Sequence, residues 1–184
     1  MADLTLLTIC GSLRKGSYNA MVQRGLPPLA PEGMTIKAAP SFAKFSLYNA
    51  DVQDANGFPG AVNTLADAIR AADGVIIVSP EYNFSIPGGL KNAIDWVSRL
   101  PNQPFAGKPI ALQSASPGPL GGGRVQYDLR RAMGFSMPSR STSLRFSSAI
   151  ALPSSTRQPA RSRTTSHAIS LSNSLRLSRN SSRK

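Results

Sequence analysis

The chain has 184 residues, room for one domain with a real core, and a formal net charge of +12 from 21 basic and 9 acidic side chains. Its single cysteine, Cys10, excludes a disulfide framework and any CxxC or zinc-type cluster, and reads as a small buried residue instead of a reactive thiol. No apolar run approaches the roughly 18 residues needed to cross a membrane, and Asp3 without a basic n-region excludes a signal peptide, so a cytoplasmic protein is expected.

The apolar run at residues 3–10 reads as a buried parallel strand. It feeds the loop Gly11-Ser12-Leu13-Arg14-Lys15-Gly16-Ser17-Tyr18-Asn19, and a helix follows from Ser17 to about Gly25, ended by Pro27-Pro28. Helix N-termini present unpaired N–H groups and partial positive charge; Ser12, Ser17 and Asn19 add short donors, and Arg14 adds a fork for phosphate oxygens. The loop is neither a Walker loop, lacking Gly-Lys-Ser/Thr, nor Gly-x-Gly-x-x-Gly, since position 13 is Leu.

A second strand is expected at Met34–Ala38, then a long loop with Pro40 and Tyr48-Asn49-Ala50-Asp51. Next come a helix near 59–72 with Val62, Leu65, Ala66 and Ile69 on one face, and a third strand at 74–79. The loop Pro80–Ile86 carries a carboxylate, an aromatic and an amide, suited to a flat hydrogen-bonding ligand. Pro87 opens a helix over 87–98, with Leu90, Ala93, Ile94 and Val97 inward. A fourth strand at 109–114 leads through a Gly/Pro-rich loop to a helix over about 122–134, with Val125, Leu129, Ala132 and Met133 inward. The alternation argues for an α/β fold, a parallel sheet with helices on both faces, whose ligands bind beyond the carboxyl ends of the strands.

Three segments carry a family resemblance: Gly-Ser-Leu-Arg-x-x-Ser-x-Asn from 11, Pro-Glu-Tyr-Asn-x-Ser-x-Pro-Gly-x-Leu-Lys-Asn-Ala-Ile-Asp-Trp from 80, and Ser-x-Gly-x-x-Gly-Gly-x-Arg from 116. Together they resemble the NADPH-dependent FMN reductase family, which includes quinone and chromate reductases, over residues 3–135. The resemblance implies a flavodoxin-like sheet of order 2-1-3-4-5 and FMN as cofactor. NADPH or NADH would pass hydride through flavin N5 to a quinone or similar acceptor (chromate, nitro or azo compounds, free flavin). It implies that Ser12, Arg14, Ser17 and Asn19 hold the FMN phosphate, that Pro80, Glu81, Tyr82 and Asn83 border the ring largely through backbone groups, and that Ser116 and Gly118 approach its far edge. For Glu81 and Tyr82 a local or subunit contact stays open. It also implies a homodimer or homotetramer, with Arg124 and Tyr127 as candidates for the boundary. From the residues themselves, no group reads as a general acid or base, and the only histidine, His167, lies in the tail.

At Ser136 the composition changes. Residues 1–135 carry a net charge of +3, whereas 136–184 carry +9 with no acid, no Gly, Val, Tyr or Trp, and an excess of Ser and Arg. Apart from Ala149-Ile150-Ala151-Leu152 this segment lacks periodicity, so it is expected to be a disordered tail with no site residue. The domain is then 1–135, and the fifth strand and the helix after it are expected to be missing. A shift of reading frame near Phe135 accounts for the abrupt boundary; a genuine Ser/Arg-rich extension is the alternative. Two other function classes stay open: a flavodoxin-type electron carrier, disfavoured by the basic loop, and an anion or nucleic-acid binder acting through the tail.

Overall fold

The computed structural model of the chain describes residues 3–134 and the backbone of 144–151. Strands β1 (Leu4–Cys10), β2 (Met34–Ala38), β3 (Gly74–Val78), β4 (Ile110–Ser116) and β5 (Leu144–Ala151) form one parallel sheet of order β2-β1-β3-β4-β5. Helices α1 (Tyr18–Gly25), α2 (Ala50–Asn56), α3 (Gly60–Ala71), α4 (Gly88–Ser98) and α5 (Gly123–Ala132) connect and cover it. The order follows the flavodoxin-like expectation. β1 and β3 run side by side from Leu6↔Gly74 to Cys10↔Val78, and β3 is buried along its whole length, which is why Gly74-Val75-Ile76-Ile77-Val78 is continuously apolar.

The strands' period of two splits the core into two layers. Leu7, Ile9, Val75, Ile77, Ile110 and Leu112 face α3, α4 and α5, while Leu4, Leu6, Ile76, Val78, Ala111 and Ala115 face α1. On α3 the expected stripe Val62, Leu65, Ala66 and Ile69 is fully buried, each larger side chain contributing about 1.5–3 kcal/mol. Of the inward set expected on the helix after β4, Val125, Leu129 and Met133 are buried, and Ala132 is half-buried.

Two features depart from the sequence reading. Part of the expected long loop is helix α2, begun by Asn49, whose Oδ1 accepts from the Asp51 amide at 2.9 Å, and ended by Gly57 at φ 73°. It buries no residue, so it carries no apolar stripe to betray it. The rest of that loop is fixed to α4: Trp96 Nε1 and Asn92 Nδ2 both donate to the Ser46 carbonyl at 2.8 Å, and the Tyr48 amide donates to Asn92 Oδ1 at 2.8 Å. The expectation of a missing fifth strand is corrected, because Leu144–Ala151 pairs in parallel with β4, from Ile110↔Leu144 to Ser116↔Ala151. An open strand edge offers a row of N–H and C=O groups that any extended backbone can satisfy, so pairing there does not require a patterned sequence. The helix expected to be absent after it, and the rest of the basic segment, lie outside the described residues.

Candidate functional site

Three loops leave the carboxyl ends of β1, β3 and β4 on the same side of the sheet. The first turns at Gly11, whose amide donates to the Val78 carbonyl at 2.8 Å. A Cβ there would stand 2.7 Å from Ser79 Oγ and 2.9 Å from Leu90 Cδ2, so only glycine lets the loop leave β1 this close to β3. Ser12 is buried; its Oγ accepts from the Arg14 amide at 3.4 Å and lies 3.4 Å from Tyr82 Oη, tying the first loop to the second. Ser17 is the N-cap of α1, its Oγ accepting from the Asn19 and Ala20 amides at 3.2 and 3.4 Å. Arg14 is exposed, and its Nη1 would lie 3.1 Å from a Cβ at Gly16, so the guanidinium bends back over its own loop.

Asn19 does something the motif does not announce. Its Nδ2 donates to the Ala115 carbonyl and its Oδ1 accepts from the Ala115 amide, both at 2.9 Å. The last β3-to-β4 rung is the Ser79 amide on the Gln113 carbonyl, at 2.9 Å. Two residues further along β4, the Asn19 side chain pairs with the Ala115 backbone in place of a strand neighbour. One buried amide thus joins the start of α1 to the end of β4.

In the second loop Pro80 is buried and its carbonyl accepts from Ser79 Oγ at 2.9 Å, while Tyr82 and Asn83 are exposed. Glu81 turns toward the third loop: Oε2 accepts from the Arg124 and Val125 amides at 2.9 and 3.3 Å, and Oε1 pairs with Arg124 Nη1 at 3.2 Å. A carboxylate at the N-terminus of α5 satisfies orphan donors and complements the helix dipole. Gly122, at φ 83°, lets the loop pass Ser114 there; a Cβ would lie 3.0 Å from Ser114 Cβ. Ser116 is half-buried and its Oγ accepts from the Gly118 amide at 3.1 Å, holding both expected ring-edge residues in one turn. Cys10, below the first loop, has its thiol pKa pushed above the ordinary 9.0 by burial, which outweighs the lowering effects of the Ser12 backbone and Arg24.

The sequence reading missed two links. Ser85 Oγ donates to Asp128 Oδ2 at 2.6 Å, a second tie from the β3 loop to α5, and Gln126 Nε2 donates to Ser114 Oγ at 2.7 Å beneath the third loop. Neither residue type is diagnostic, and the partners lie 43 and 12 positions apart.

The family model described as NADPH-dependent FMN reductase matches residues 4–149. The chain belongs to that family. Among its curated relatives, a quinone reductase of Escherichia coli K12 is 59% identical over 132 residues, covering 72% of this chain and 70% of the relative. An NAD(P)H-dependent FMN reductase of Pseudomonas aeruginosa is 50% identical over 133 residues, covering 72% and 71%. Among solved structures, a flavoenzyme NAD(P)H:(acceptor) oxidoreductase of Paracoccus denitrificans superposes with a TM-score of 0.77 at 27% identity, covering 94% of this chain and 97% of that one. The chain is accordingly an FMN-dependent oxidoreductase with a reduced nicotinamide as donor. Its residues fit the cofactor: a capped helix N-terminus with Arg14, Ser12 and Ser17 beside it suits a terminal phosphate, and Tyr82 and Asn83 of the β3 loop are exposed beside it. Among the described residues no group of His, Cys, Asp or Glu could hold a metal ion, and no helix is long and apolar enough to cross a membrane.

Proposed function

We propose that the chain is an NAD(P)H:quinone oxidoreductase whose FMN lies across the three loops. Ser12, Arg14 and Ser17 hold the phosphate; Asn19, its amide engaged on Ala115, positions that loop. The backbone of Pro80, Glu81, Tyr82 and Asn83 borders the ring, with Ser116 and Gly118 at its far edge. The observation that carries this reading is the joining of the phosphate end to the ring wall, through Ser12 Oγ and Tyr82 Oη at 3.4 Å. Bound flavin supplies the hydride and electron chemistry; the protein supplies binding, orientation and an open slot. The names of the relatives support quinone as the acceptor class. Purified protein loaded with FMN should oxidise NADPH in the presence of a quinone at steady state. Flavin reduction without turnover would identify an electron carrier instead.

The active form in this reading is a dimer or tetramer in the cytoplasm, with Arg124 and Tyr127 at a subunit boundary. Tyr127 is 72% exposed, large for an aromatic without a partner surface. Light scattering showing an active, flavin-loaded monomer would reject that part. We further propose that 136–184 adds no ligand to the site and arises from a shifted reading frame; resequencing around codon 135 tests the origin.

A further inference from the structure

The β3 loop is crowned by a tight turn. The Tyr82 amide donates to the Ser85 carbonyl at 3.1 Å and the Ser85 amide to the Tyr82 carbonyl at 3.0 Å, leaving Asn83 and Phe84 as the two central residues. Both have positive φ, 49° and 67°. Such a turn favours Asn followed by Gly. Asn83 obeys; Phe84 does not, because a bulky Cβ in the left-handed region crowds its own backbone.

Burial does not offset this strain, since Phe84 is 67% exposed. One face of its ring lies under the Arg124 guanidinium, 4.1 Å from the centroid. Arg124 is in turn held by Glu81, and Ser85, the next residue, is bonded to Asp128 at 2.6 Å. Ties on both sides therefore hold an exposed aromatic in an unfavourable conformation. Strain of that kind, fixed by its surroundings, concentrates at functional positions. Phe84 directly follows the backbone assigned to the ring.

We propose that Phe84 is a specificity-determining residue, a platform on which flat conjugated acceptors of the quinone class stack as they enter. This rests on the function proposed above. Aromatic faces attract flat rings in offset stacks, and an acceptor without a flat π face gains nothing from the platform.

The test uses the full chain loaded with FMN and compares the parent with F84G and F84W. Menadione is the flat acceptor and ferricyanide the control. Glycine accepts φ 67°, so F84G should melt no lower than the parent. It should bind menadione to the oxidised protein roughly threefold to tenfold more weakly, and the ratio of kcat/KM for menadione over ferricyanide should fall by a similar factor. F84W should keep both near the parent. A menadione Kd and an acceptor ratio unchanged in F84G would overturn the platform alone. A changed oligomeric mass in F84G would overturn it in favour of a subunit contact. A parent that reduces ferricyanide with NADPH but neither binds nor reduces menadione would overturn the quinone reading and the platform with it.

Discussion

Replacing Asn19 by Ala removes both hydrogen bonds that its amide makes with Ala115 and puts no donor or acceptor in their place. Asn19 and Ala115 are each only 2% exposed, so water cannot readily replace the lost partner. An orphaned buried donor or acceptor costs about 1–3 kcal/mol, so the pair is worth about 2–6 kcal/mol. Total stability of a domain is about 5–15 kcal/mol, so a third of it is at stake. With a urea slope of about 2 kcal/mol per molar, the unfolding midpoint should fall by about 1–3 M at unchanged slope. Asn19→Asp is the sharper variant. One carboxylate oxygen can still accept from the Ala115 amide, but the other faces the Ala115 carbonyl with no proton to donate, so Asp should be no better than Ala. A midpoint within about 0.3 M of the parent for N19A, or parental stability for N19D, would refute the account of this rung.

Arg14→Ala should weaken FMN binding about tenfold to a hundredfold, the loss expected for one charge-assisted hydrogen bond; an unchanged Kd by flavin fluorescence would remove Arg14 from the site. Gly11→Ala forces a methyl to 2.7 Å from Ser79 Oγ, so stability should drop by about 1–3 kcal/mol and FMN affinity with it, read by melting and flavin titration. Cys10 should react slowly with a thiol reagent near neutral pH, because burial keeps it protonated; labelling as fast as a free thiol would contradict that. Since its folded pKa lies above the unfolded 9.0, the native state keeps a proton the unfolded chain releases. That stability is fully present below pH 9.0 and is lost as pH rises through the folded value, so Cys10→Ser should flatten the alkaline decline in urea midpoints.

What the sequence made legible was whatever repeats or caps locally. The buried stripe of α3, the start of α1 near Ser17 and the continuous apolar run of β3 each follow from neighbours a few residues apart. Long-range choices were not legible. Glu81 meeting Arg124 and Asn19 meeting Ala115 are partnerships of 43 and 96 positions, which no local pattern encodes. The tight turn at Asn83 and the strain at Phe84 were not read, the second because phenylalanine ordinarily argues against such a φ. β5 escaped notice because its backbone completes an edge without needing a patterned strand.

The placement of β1 between β2 and β3 has a kinetic consequence. The strand that launches the first loop gains one neighbour from Met34–Ala38 early, but the other only once about seventy residues have been threaded to Gly74 and beyond. The Asn19 rung must wait longer still, for β4. Closing such long chain segments costs entropy before any contact repays it, and chains rich in distant pairings fold slowly. The cofactor pocket should therefore be among the last parts to become native, with Asn19 substitutions speeding unfolding more than they slow folding. Free FMN added during refolding should act on a nearly finished molecule, raising the yield of native protein and not the initial rate.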